Sequence, residues 1–88
     1  MKRAKHKNLQ IAFGMKVREA RKAKALTQET LSYMADIELS TLNRIELGKA
    51  GTSLANIFAI SEALNIEPKY LFEFEMLVAK PVKPKNKN

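Results

Sequence analysis

Within ADIELSTLNRIELGK, Ala35 to Lys49, three residues carry the groups best suited to directional recognition: Ser40, Asn43 and Arg44. A hydroxyl both donates and accepts. A carboxamide sets an acceptor beside a donor in one plane, and a guanidinium offers a rigid fork of donors. Such groups read the edges of flat polar molecules. For breaking bonds the chain has far less to offer. It has no cysteine, and its one histidine, His6, lies in a lysine-rich leader, so neither a thiolate centre nor a histidine pair can form. The acids are scattered, and no glycine-rich phosphate loop is present. No enzyme activity, catalytic residue, metal or cofactor is expected.

The elements that must position these groups are helical. The 88 residues, 45% of them hydrophobic, suffice for one domain with a modest core. Residues 1–8 are polar and basic and predict a flexible arm. From Leu9, the positions Ile11, Phe13, Val17 and Ala20 follow helical spacing, which predicts a first helix to about Lys24. Thr27 is a good N-cap and Glu29 an acid in the first turn, where the helix dipole favours it, for a short second helix from Gln28 to Ala35. Asp36 suits a tight turn because it tolerates left-handed backbone. A third helix, about Leu39 to Leu47, turns Leu42 and Ile45 inward, and Gly48 ends it. Ser53 caps a fourth helix that Asn65 closes. Pro68 introduces a fifth, from Lys69 to about Val78, and Pro81 and Pro84 mark an unstructured tail over 79–88. The expected fold is all-α, five short helices over residues 9–78.

Charge divides the chain unevenly. Residues 1–24 hold nine Lys or Arg against Glu19 alone, and residues 79–88 hold four lysines and no acid. The middle, 25–78, sets Arg44, Lys49 and Lys69 against eight acids. Basic ends around a mildly acidic centre, with a net charge of +7, fit arms that attract a polyanion. No segment reaches the roughly 20 apolar residues of a membrane span. With no cysteine, a cytoplasmic protein without membrane partners is expected.

A second and third helix joined by a tight turn are the arrangement that enters the DNA major groove. Residues 14–72 resemble the Cro and lambda-repressor-like helix-turn-helix family. The matching residues are Gly14, Val17, Arg21, Leu26, Thr27-Gln28-Glu29, Leu31, Ala35, Ile37, the run Ser40 to Glu46, Gly48-Lys49, Ser53-Leu54, Ala63-Leu64 and Leu71-Phe72. The resemblance implies a five-helix DNA-binding domain whose helix-turn-helix is formed by helices two and three. It departs from the family pattern at Asp36, where glycine is usual, at Ser32 in place of a smaller residue, and at Glu38-Leu39, where polar or basic groups are usual.

With Leu42 and Ile45 inward, Leu39, Ser40, Asn43, Arg44 and Leu47 face outward. Asn pairs with an adenine edge, Arg with guanine, Ser with either, and Leu39 suits a thymine methyl. Positions 39, 40, 43 and 44 are also those the resemblance implies as base contacts. Gln28, at the start of helix two, is expected at a phosphate, with Thr41 and Lys49 as further phosphate contacts. Glu38 is expected to cap or to sit in the first turn. The resemblance implies that Arg21 and Glu46 form a partly buried structural pair.

The run LFEFEMLV, residues 71–78, is too apolar for one exposed face, and Phe72, Phe74, Met76 and Leu77 are expected to form a homodimer interface. The alternative is that this segment folds back over the first helix, against Phe13 and Ile11. The leading expectation is a single-domain transcriptional regulator that binds a palindromic operator as a homodimer, like the phage repressors and the restriction-modification controller proteins of the family. RNA polymerase or an operon-encoded protein would be further partners. An antitoxin or adaptor with a protein as its main partner is the alternative.

Overall fold

The structure, a computed structural model, describes the backbone of residues 4–75 and the side chains from Lys7. Four α-helices follow one another: α1 (Ala4–Ala23), α2 (Gln28–Ala35), α3 (Leu39–Glu46) and α4 (Leu54–Leu64). A short 3-10 helix, Pro68–Phe72, completes the order.

The starts and stops of these helices have local causes. The Thr27 and Ser53 hydroxyls accept from the amides of Thr30 and Asn56, so α2 and α4 begin with a satisfied cap. Glu38 holds the N-cap position of α3 but makes no side-chain cap bond. All four helices end alike. Ala25, Asp36, Gly48 and Asn65 take left-handed backbone, with φ of 58°, 57°, 74° and 57°. The two amides at each end turn back onto carbonyls of the last turn, for example Asp36 onto Tyr33 at 3.2 Å and Ile37 onto Ser32 at 2.9 Å. After three of these turns the next residue is apolar, and Leu26, Ile37 and Ile66 pack against the core. Each reversal thus satisfies the helix end, and these three return the chain inward.

The core comprises Phe13, Val17, Leu31, Ala35, Leu42, Ile45, Ile60, Leu64 and Leu71, drawn from every element. Two glycines let backbones approach. A Cβ on Gly14 of α1 would strike the carbonyl oxygen of Ile45 and lie 2.8 Å from that of Glu46. One on Gly48 would lie 2.6 Å from the Cα of Ile11, and its positive φ already favours glycine. The end of α3 therefore rests directly on α1.

Two expectations are corrected. Helix α1 begins at Ala4, inside the stretch read as a flexible arm; alanine and lysine are good helix formers and nothing before Gly14 breaks the run. The fifth helix is not α-helical. Its chain turns once as a 3-10 helix and then runs on without helix through Glu75. Phe72-Glu73-Phe74-Glu75 alternates apolar and acidic, a period of two that sets both rings on one side, with centroids 6.4 Å apart. This segment also packs back on α1: the Phe72 and Phe13 rings lie 5.2 Å apart, and Phe74 lies against the core. Met76, Leu77 and Val78 fall outside the described residues.

Ala25 carries a Cβ in a conformation that costs an L-residue roughly 1–2 kcal/mol. Ala25→Gly should stabilise the domain by up to about 1 kcal/mol once glycine's greater unfolded entropy is set against that relief, seen as a raised melting temperature. Gly14→Ala should lower it, because α1 would have to back away from α3.

Candidate nucleic-acid interface

Helix α3 has only 8 residues, too few to be stable alone, so its orientation depends on what holds it. Leu42 and Ile45 are buried beneath it, and Glu46, in its last turn, is buried as well at 5% exposure. Charge at that depth requires partners. Arg21, in the last turn of α1, provides two: its Nε donates to one Glu46 oxygen at 2.8 Å and its Nη2 to the other at 3.1 Å. The remaining Nη1 donates to the Leu26 carbonyl at 2.7 Å, tying the pair to the loop before α2. Hydrogen bonding to Glu46 raises the Arg21 pKa above its ordinary value, against the opposing cost of burial. A raised base contributes stability wherever it stays protonated, so this one acts at all ordinary pH and is lost only in strong alkali.

With its inner face pinned, α3 presents Leu39, Ser40, Asn43, Arg44 and Leu47 to solvent. All four residues expected at base edges therefore share one exposed face. Thr41 is half-buried at its flank, and Lys49 is exposed just past the helix end. Arg44, in the last turn, also complements the negative end of the helix.

Gln28, at the start of α2, has partners within the protein. Its side chain points into the protein: Nε2 donates to Glu46 at 2.9 Å, and Oε1 accepts from Asn43 Nδ2 at 3.4 Å. The backbone amides of the first turn of α2 still lack acceptors within the helix, as at any helix start. No signal in the sequence pointed to the partners of Gln28, since a partly buried and a solvated glutamine read alike.

The geometry is that of two short helices crossing at a tight turn, the second held from behind and exposing a face of Ser40, Asn43 and Arg44 flanked by Leu39 and Leu47. A helix-turn-helix family profile matches residues 17–71, a span from α1 to the 3-10 helix. The chain belongs to the helix-turn-helix family. It is homologous to controller proteins of restriction-modification systems, within a class of DNA-binding transcription regulators. It is 40% identical over 68 residues to control protein C.BamHI of Bacillus amyloliquefaciens, covering 76% of this chain and 84% of that protein. Control protein C.MunI of a Mycoplasma species is 36% identical over 66 residues, 74% of this chain and 89% of its own length. The crystal structure of the restriction-modification controller protein C.AhdI from Aeromonas hydrophila superposes with a TM-score of 0.71 at 41% identity, covering 72% of this chain and 96% of that one. The clp gene regulator ClgR from C. glutamicum shares the fold, with a TM-score of 0.70 at 22% identity over 73% of this chain and 83% of its own. No helix among the described residues is long and apolar enough to cross a membrane.

Removing one partner of a buried ion pair strands the other. Arg21→Ala should therefore destabilise the helix-turn-helix unit by about 3 kcal/mol, read as a large drop in melting temperature. Arg44→Ala, on the exposed face, should melt within about 0.5 kcal/mol of the parent. Equal stability for the two variants would show that the pair does not hold α3.

Proposed function

We propose that the protein is a sequence-specific regulator of transcription that binds double-stranded DNA in the cytoplasm as a homodimer. The single observation that carries this reading is the exposed face of α3, where Leu39, Ser40, Asn43 and Arg44 stand together on a helix that Leu42, Ile45 and Glu46 hold from behind. Placed in the major groove, that face offers an apolar contact and three polar groups matched to base edges. Thr41, Lys49 and the amides of the α2 first turn, beginning at Gln28, would bind flanking phosphates and set the register. Phosphate contacts carry most of the affinity, base contacts the choice of sequence. The names of its relatives support a controller of a restriction-modification system.

A short recognition helix reads few base pairs, so two copies on an inverted repeat are the economical arrangement. Unpartnered apolar side chains support a self-association surface. Leu54 is 73% exposed and Phe58, one turn on along α4, is 58% exposed. Ile57, between them, shares an apolar cleft with Phe13 and Phe72. Phe72, 46% exposed despite its contact with Phe13, extends this surface toward Phe74.

Selection from random duplex DNA, near physiological salt, tests the reading. An inverted repeat with half-sites about one helical turn apart should be enriched, and Asn43→Ala should relax one base pair in each half-site. Binding that fades with salt and recovers no motif would overturn it. Phe58→Glu should give a monomer in sedimentation analysis and weaken operator binding without unfolding the domain; a dimer that survives would move the interface off α4.

A further inference from the structure

The hydrogen bonds around Glu46 form a chain that runs outward from the core. Arg21 donates to Glu46, Gln28 donates to Glu46, and Asn43 donates to Gln28. The direction of each bond follows from the one before it. A carboxylate paired with a guanidinium has no proton to give, so the end of Gln28 that faces Glu46 must be its NH2 group. The Gln28 carbonyl oxygen is thereby turned toward α3, and only a donor can meet it. Asn43 must then present its own NH2 inward.

Gln28 thus sets the orientation of a carboxamide that it does not cover. An exposed Asn side chain ordinarily has two nearly equivalent settings of its terminal torsion, related by exchange of oxygen and nitrogen. Here one setting places Nδ2 on an acceptor and the other would set oxygen against oxygen. With Nδ2 held by Gln28, Asn43 Oδ1 and the second N–H remain for the groove. An acceptor beside a donor in one plane is complementary to the N6 amino group and N7 of adenine.

Resting on the DNA-binding reading above, we propose that Gln28 is a positioning residue that presets Asn43 to read an adenine in each half-site. It does so by passing the polarity of the buried Arg21–Glu46 pair outward through two amides. The element that carries it is the α2–α3 crossing itself: Gln28 opens α2, while Asn43 and Glu46 lie one turn apart on α3. Preorganisation of this kind lowers the cost of ordering the side chain on binding.

The experiment compares sequence preferences of the full chain with those of Gln28→Met, which keeps the length of the side chain and removes both polar atoms. Asn43→Ala and the double variant are selected against the same random duplex pool, and melting curves are recorded for all four proteins. Asn43→Ala identifies the base pair that Asn43 reads. Gln28→Met should lower the adenine preference at that base pair about fivefold or more and leave other positions unchanged. The double variant should match Asn43→Ala at that position. A uniform loss of affinity at all positions, with a shallower dependence on salt, would make Gln28 a phosphate contact and overturn the proposal. An unchanged preference would overturn it too, as would a preference for a base other than adenine. A motif that survives in each of these cases leaves the DNA-binding reading standing. Failure of the parent protein to select any motif would remove both.

Discussion

Glu46 is an acid in the last turn of a short helix, buried at 5% exposure and facing the centre of the domain. A carboxylate there is unfavourable by several kcal/mol unless its oxygens are satisfied. Two donors from Arg21 and one from Gln28 satisfy them, and a further donor from Arg21 reaches the Leu26 carbonyl. The end of α1, the loop after it, the start of α2 and the end of α3 must therefore meet at one point. Moving α1 against α3 would leave a charge unpaired, and moving the loop or α2 would remove a hydrogen bond from the pair. The rotation of α3 about its own axis, and with it the set of side chains facing outward, follows from that requirement.

The remaining features of the fold are consistent with it. Gly14 and Gly48 let α3 and its C-terminal turn sit on the α1 backbone, so the distance between the helices is set by main chain rather than by adjustable side chains. The four left-handed turns stop each helix sharply, and three of them send the next residue inward. A surface that must match DNA gains from such support. Small errors in the angle of an eight-residue helix would misplace Asn43 and Arg44 relative to one another. The apolar side chains Leu54, Phe58 and Phe72 lie outside this arrangement, which leaves them open to a second copy without disturbing the first.

Much of this was legible in the chain. Thr27 and Ser53 announced their helices because a hydroxyl before an apolar-periodic run has one favourable use, and Asp36 marked its turn because few residues tolerate left-handed backbone. Other features left no readable trace. Ala25 adopts the same backbone as Asp36 with nothing in its side chain to show it; packing of Leu26 imposes the turn. The segment after Pro68 is rich in apolar residues, and composition alone suggested a helix. Its Phe-Glu-Phe-Glu alternation favoured another path, and the contact of Phe72 with Phe13 determined it. Met76 and Leu77 belong to the same run, but the described residues end before them.

The sequence by itself determined an all-helical domain, the boundaries of its two central helices, the outward set Leu39, Ser40, Asn43 and Arg44, and its family. These depend on periodicity and capping, which are local and can be read along the chain. Only the tertiary structure showed the partners of Gln28. A glutamine at a helix start can serve a phosphate, water or another side chain, and which it serves depends on the charge behind it. That charge, Glu46, is 18 residues away along the chain and 2.9 Å away in space.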